Sequence, residues 1–131
     1  MKTGIAVFAH GSSVQEANRA VLEVVSSSAG LGGFDLVETA FLELAEPSLP
    51  VAVERLVARG ATRILVVPYF LTLGIHLRRD LPRIVEEISR IHQGMEIRIA
   101  PPLDGHPALS QVLCDRAKEA LERWNSGEST Q

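Results

Sequence analysis

Four short apolar runs, each followed by a segment whose apolar residues recur at helical spacing, constrain this chain more than any other feature. Ile5-Ala6-Val7-Phe8-Ala9, bounded by Gly4 and Gly11, is a continuous apolar run of the kind buried on both faces of a sheet. Val14, Ala17, Val21, Val24 and Val25 then follow at helical spacing; Ser12 or Ser13 can cap that helix, and Gly30, Gly32 and Gly33 end it. Phe34 to Leu42 reads as a second strand, less buried because it carries Asp35 and Glu38. Ser48 can cap the next helix, with Pro50 in its first turn and Leu49, Ala52, Val53, Leu56 and Val57 on its apolar side up to Gly60.

The second half repeats the plan. Thr62 to Val67 is the clearest strand, and Pro68 marks its end because proline has no donor for a central ladder. A loop runs through His76; Asp80 then caps a helix with Pro82 in its first turn and Leu81, Ile84, Val85, Ile88 and Ile91 on its core face, ended by Gly94. Met95 to Ala100 is the fourth strand, and Pro107 opens a last helix with the stripe Leu109, Val112, Leu113, Ala117, Ala120, Leu121 and Trp124. Strands alternating with helices predict an α/β fold with a four-stranded parallel sheet and helices on both faces, in three layers joined by right-handed crossovers. We expect one domain over residues 1–124 and a polar, frayed tail over 125–131.

Composition narrows the function classes. The hydrophobic share of 46% and the charged share of 22% are those of ordinary globular domains. The longest apolar stretch, Ile64 to Ile75, is too short for a bilayer and is interrupted by Pro68 and Gly74, and the N-terminus lacks a signal-peptide pattern, so no membrane partner and a cytoplasmic location are expected. A net charge of −3 without a basic run argues against nucleic acid. The single cysteine, Cys114, cannot form an internal disulfide and is assigned to packing, which leaves histidines and carboxylates for any metal.

In an open parallel sheet, ligands bind beyond the carboxyl ends of the strands where strand order reverses. Four loops qualify, and three of the four histidines fall in them. In the order 2-1-3-4, the first and third strands are neighbours roughly 5 Å apart, and His10 and His76 could converge there. Glu43 or Glu46, arriving from the second strand, could add an oxygen donor; two imidazoles and a carboxylate suit a borderline divalent transition metal. Each residue also has a plain reading: His10 as a hydrogen-bonding residue at a strand end, His76 as a solvated loop residue, Glu43 and Glu46 as solvated acids near a helix start, and Arg78 and Arg79 as a solvated helix face. His106 fits a helix-start role and His92 a helix C-terminal one.

Taken in order, Ala9-His10-Gly11-Ser12, Phe41-Leu42-Glu43 with Glu46-Pro47-Ser48-Leu49, Pro68-Tyr69-Phe70-Leu71 with Gly74-Ile75-His76, and Pro101-Pro102-Leu103 with His106-Pro107 resemble the small, single-domain form of the sirohydrochlorin cobaltochelatase family, the class II chelatases. The resemblance runs from about Thr3 to Leu121. It implies a chelatase-like domain that inserts Co²⁺, Ni²⁺ or Fe²⁺ as co-substrate into sirohydrochlorin or a related tetrapyrrole, with no tightly bound cofactor and no ATP. It further implies that His10 accepts a proton and binds metal, that His76 is a second metal ligand, and that Glu43 is a possible third. Glu46 and the loop Leu71, Thr72, Leu73, Gly74, Ile75 and His76 would line the substrate site, with Arg78 and Arg79 available to substrate carboxylates. Longer members join two such units, so a homodimer forming the cleft is the implied arrangement. Two rivals remain: a metallochaperone or tetrapyrrole-binding module that uses the same two histidines without turnover, and a histidine phosphatase-like enzyme acting through His10, which would need an arginine where this chain has Ala9.

Overall fold

The computed structural model describes residues 2–127. Its elements alternate without exception: β1 (Thr3–Ala9), α1 (Gln15–Gly32), β2 (Val37–Phe41), α2 (Leu49–Ala58), β3 (Arg63–Tyr69), α3 (Ile75–Ile91), β4 (Glu96–Ile99) and α4 (Ala108–Asn125). All strand pairs are parallel and the order is β2-β1-β3-β4, as expected for a doubly wound sheet. Chain direction across the sheet reverses after β2, which places the switch point at the carboxyl ends of β1 and β3, where Ala9 pairs with Tyr69.

The two sheet faces differ in how well they are covered. Ala6, Phe8, Ala40, Ile64 and Val66 point to the face packed by α2 and α3, and there the core is closed. Phe8, Leu49, Leu56 and Leu81 are fully buried in it, each stabilising by about 1.5–3 kcal/mol relative to exposure. On the opposite face, period-two alternation places Ile5, Val7, Leu65 and Val67 toward α1. Val7, Leu65 and Val67 are only half-buried, because among the described residues α1 is the helix whose side chains line that face.

Several boundaries differ from those read in the sequence, each for a local reason. Phe34 is not in β2: the N–H groups of Gly33, in the left-handed conformation, and of Phe34 both return to the Ala29 carbonyl, closing α1, so the strand begins at Val37. On α1 the inward stripe is rotated relative to expectation. Asn18 and Val25 are buried and Val21 and Ala29 half-buried, whereas Val14, Ala17 and Val24 are exposed. Neither Ser12 nor Ser13 is the N-cap; that position is Val14, whose N–H donates to the Ser12 hydroxyl at 3.0 Å.

The third helix starts at Ile75, capped by Gly74, so Asp80 and Pro82 lie inside it. The N–H of Arg78 already donates to the Gly74 carbonyl at 3.0 Å, and the first turn forms without help from Asp80. The larger departure is α4. None of its residues is buried, Leu109 alone is half-buried, and Cys114 is exposed rather than packed. Asn125 closes α4 and Ser126 caps it; the rest of the expected tail, 128–131, lies outside the described residues.

Candidate functional site

The ladder between β1 and β2 continues past the strands and carries the key side chains with it. Leu42 N–H donates to the Ala9 carbonyl at 2.9 Å and Glu43 N–H to the His10 carbonyl at 3.1 Å. These bonds hold His10 and Glu43 side by side, with His10 Nε2 3.4 Å from Glu43 Oε1. Gly11 makes the approach possible: its φ is +89°, and a Cβ there would strike the Glu43 carbonyl. Behind the loop, buried Asn18 acts as a clamp. Its Oδ1 accepts from Ser12 N–H at 2.9 Å and its Nδ2 donates to the Ser12 carbonyl at 2.8 Å.

The hydrogen-bond partners decide which nitrogen of each histidine is free. His10 Nδ1 lies 3.1 Å from the Gly11 carbonyl, which can only accept, so the proton of the neutral ring sits on Nδ1 and the Nε2 lone pair faces the Glu43 carboxylate. Two electron-pair donors that close suit a proton or a divalent cation between them. The ring of His10 also stands edge-on to Phe70 at 6.3 Å, and Phe70 in turn packs on Phe8 at 5.9 Å, which ties its orientation to the core.

His76 occupies the first turn of α3, not a loop. Its Nδ1 is 3.3 Å from Arg79 Nη2, a group that only donates, so the Nδ1 lone pair is engaged. Of the proposed donors, the structure brings His10 and Glu43 into direct contact and pairs His76 with Arg79; among the described residues no three His, Cys, Asp or Glu side chains form a metal-binding group. Glu46 lies to one side, with Phe41 and Ala45, in two shallow hollows against α1 and the β2–α2 connection. Arg78 and Arg79 are both exposed at the start of α3.

The connections that follow β2 and β3 carry exposed apolar side chains: Leu71 is 68% exposed, Ile75 83%, and Leu44, at φ +62°, 63%. The loop after β3 is tied to the one after β4 by Leu103 N–H to the Phe70 carbonyl and Asp104 N–H to the Leu71 carbonyl. His106 stays out of the site: its Nδ1 accepts from Ala108 N–H at 3.0 Å at the start of α4. Sequence reasoning missed Asn18, Phe70 and Leu44. An asparagine on an otherwise apolar helix stripe is the one signal of the three that was visible.

Comparison with known proteins agrees with this architecture. The family model for CbiX matches residues 4–120. The chloroplastic sirohydrochlorin ferrochelatase of Arabidopsis thaliana is 36% identical over 118 residues, covering 90% of this chain and 52% of that protein. The sirohydrochlorin cobaltochelatase of Sulfurisphaera tokodaii is 32% identical over 118 residues, 90% of this chain and 93% of that one. A cobalamin biosynthesis CbiX protein from Marinobacter aquaeolei superposes with a TM-score of 0.80 at 36% identity, covering 92% of this chain and 98% of that chain. The sirohydrochlorin chelatase SirB from Bacillus subtilis subspecies spizizenii, solved in complex with cobalt, gives 0.85 at 27% identity, covering 91% and 51%. This chain thus spans nearly all of its short relatives and about half of its long ones. With the parallel sheet, the switch-point histidine and a match over most of its length, the chain belongs to the CbiX family.

Proposed function

We propose that this chain is a metal chelatase that inserts a divalent ion, Co²⁺ or alternatively Ni²⁺ or Fe²⁺, into sirohydrochlorin or a related tetrapyrrole. The observation that carries the reading is the contact of His10 with Glu43 at the sheet switch point, in a chain whose relatives are named sirohydrochlorin chelatases. Insertion releases two pyrrole N–H protons as the metal exchanges its ligands for four ring nitrogens. With Glu43, the His10 Nε2 lone pair first offers the incoming ion a nitrogen and an oxygen donor; as the ion passes to the ring nitrogens, the freed Nε2 takes one pyrrole proton and the Glu43 carboxylate passes the other to water. The exposed apolar side chains of Leu71, Ile75 and Leu44 suit the flat face of a macrocycle.

Arg78 and Arg79 serve the carboxylates of the substrate in this reading. A carboxylate that draws Arg79 away frees the Nδ1 lone pair of His76, so substrate binding and readiness of the second ligand are coupled. The reaction needs no ATP, because coordination to four nitrogens itself drives insertion. Two copies of the chain stand in for the two halves of the long relatives and close the cleft over the macrocycle.

The test is metal insertion by purified protein, with sirohydrochlorin and each of Co²⁺, Ni²⁺ and Fe²⁺, followed by the change in tetrapyrrole absorbance without ATP. We expect acceleration over the spontaneous reaction with at least one metal, and a loss of about 100-fold or more in His10→Ala, the usual scale of a positioned proton acceptor. Unaccelerated insertion with every metal overturns the reading. Tight binding of tetrapyrrole or metal without acceleration favours a carrier instead.

A further inference from the structure

Arginines flank the sheet edge on both sides. Helices α1 and α3 each follow a strand that ends at this edge, so their first turns border it, α1 on one face of the sheet and α3 on the other. Each helix brings an arginine as its fifth residue: Arg79 in the helix that begins at Ile75, and Arg19 in the helix that begins at Gln15. Arg79 is engaged by His76 and Asp80. Arg19 is exposed, and among the described residues no carboxylate lies within ion-pairing distance of it.

Arg19 instead lines a hollow of about 220 Å³ between α1 and the connection after β2, shared with Gln15, Leu22, Phe41 and Glu46. Asn18, which clamps the backbone of the His10 loop, lines it too, so the hollow adjoins the site. Sites for whole small molecules hold roughly 300–1,000 Å³; this one has the size of a single side arm. Gln15 and Arg19 lie one helical turn apart on the same side of α1, where an amide N–H and a guanidinium fork together match the oxygens of a carboxylate. Glu46 also lines the neighbouring hollow, which holds Arg55, so an anion beside Arg19 leaves Glu46 a cation on its other side. We propose that Arg19, with Gln15, binds one carboxylate arm of the tetrapyrrole, across the sheet edge from the arms met by Arg78 and Arg79. The proposal rests on the substrate named above and deepens it: the ring must carry carboxylates on opposite sides. The arm lies away from the ring nitrogens, so the contact is the same before and during insertion.

The experiment uses the full chain, Arg19→Gln, Arg19→Lys, and Arg90→Gln, which removes the same charge from the last turn of α3. Binding of metal-free sirohydrochlorin is read from its fluorescence, insertion kinetics are measured with Co²⁺, Ni²⁺ and Fe²⁺, and thermal melts confirm that each variant is folded. We expect Arg19→Gln to bind sirohydrochlorin about tenfold more weakly, the scale of one charged hydrogen bond, with KM raised to match and kcat unchanged. Arg19→Lys should recover part of the affinity, since an ammonium keeps the charge and loses the fork, and Arg90→Gln should bind as the unaltered chain does. Unchanged affinity in Arg19→Gln overturns the proposal, as does an equal loss in Arg90→Gln or a fall in kcat with affinity intact. Binding without accelerated insertion overturns the chelatase reading and leaves the arm contact to be read from affinity alone. A chain that binds no sirohydrochlorin overturns both.

Discussion

At the scale of single residues, the position of Glu43 depends on an atom that Gly11 lacks. A Cβ at position 11 would strike the Glu43 carbonyl, and φ of +89° disfavours any other residue there. Gly11→Ala is expected to cost about 1–3 kcal/mol and to move Glu43 from His10; a thermal melt reads the first effect and the insertion rate the second. Asn18 works from behind the same loop. Its two bonds to the Ser12 backbone are part-buried, and Asn18→Ala leaves that N–H and carbonyl without partners, a loss of about 1–3 kcal/mol. Denaturant titration should show the loss, together with a weaker metal response because His10 is no longer anchored. His10 itself was legible in the sequence, since a histidine one residue past a buried apolar run must lie at the sheet edge. Its contact with Glu43 was legible only as one of two options, because the choice between Glu43 and Glu46 depends on how far the β1–β2 ladder continues past Ala9 and Phe41.

At the scale of elements, the strands were read well except at Pro68, which β3 takes in and pairs with Phe8 instead of ending before it, and the helix starts were read less well. Continuous apolar runs such as Ile5 to Ala9 report burial on both sheet faces, which few other structures impose. The start of α3 shows why helix ends are harder. Asp80 two residues before Pro82 has the pattern of a cap and first turn, yet the helix begins at Ile75 and takes the proline into its interior. Pro82 has no N–H for the Arg78 carbonyl, so the first turn, which carries His76 and Arg79, is joined less firmly to the rest of α3 than an unbroken helix would be. Pro82→Ala is therefore expected to raise thermal stability by an amount equivalent to about 1–3 kcal/mol. The same change should lower the insertion rate, because a backbone bond to the Arg78 carbonyl fixes the first turn, with His76 and Arg79, to the rest of the helix. Unchanged stability in a calorimetric scan would show that the proline already fits its place without cost.

At the scale of the whole molecule, the stripe on α4 could be read from its spacing, but not the core it belongs to. Helical periodicity states that a face seeks burial and is silent on which chain supplies the other side. The structure supplies the missing half: a sheet closed by α2 and α3 on one face and half-open on the other, and an α4 with no buried residue. In the two-copy reading, part of the apolar burial that stabilises each unit exists only in the pair, so stability must follow protein concentration. A hundredfold dilution changes the free energy of association by about 2.7 kcal/mol per pair. Shared between two chains of this size, that corresponds to a fall in Tm on the order of 5 °C. Trp124, the only tryptophan in the chain, reports the same event from within α4, where it is 71% exposed in the single chain. Its emission should shift to longer wavelength as the pair separates, and the shift and the fall in Tm should share one midpoint in concentration. A melting temperature and an emission maximum that both hold constant over that range would count against the two-copy reading.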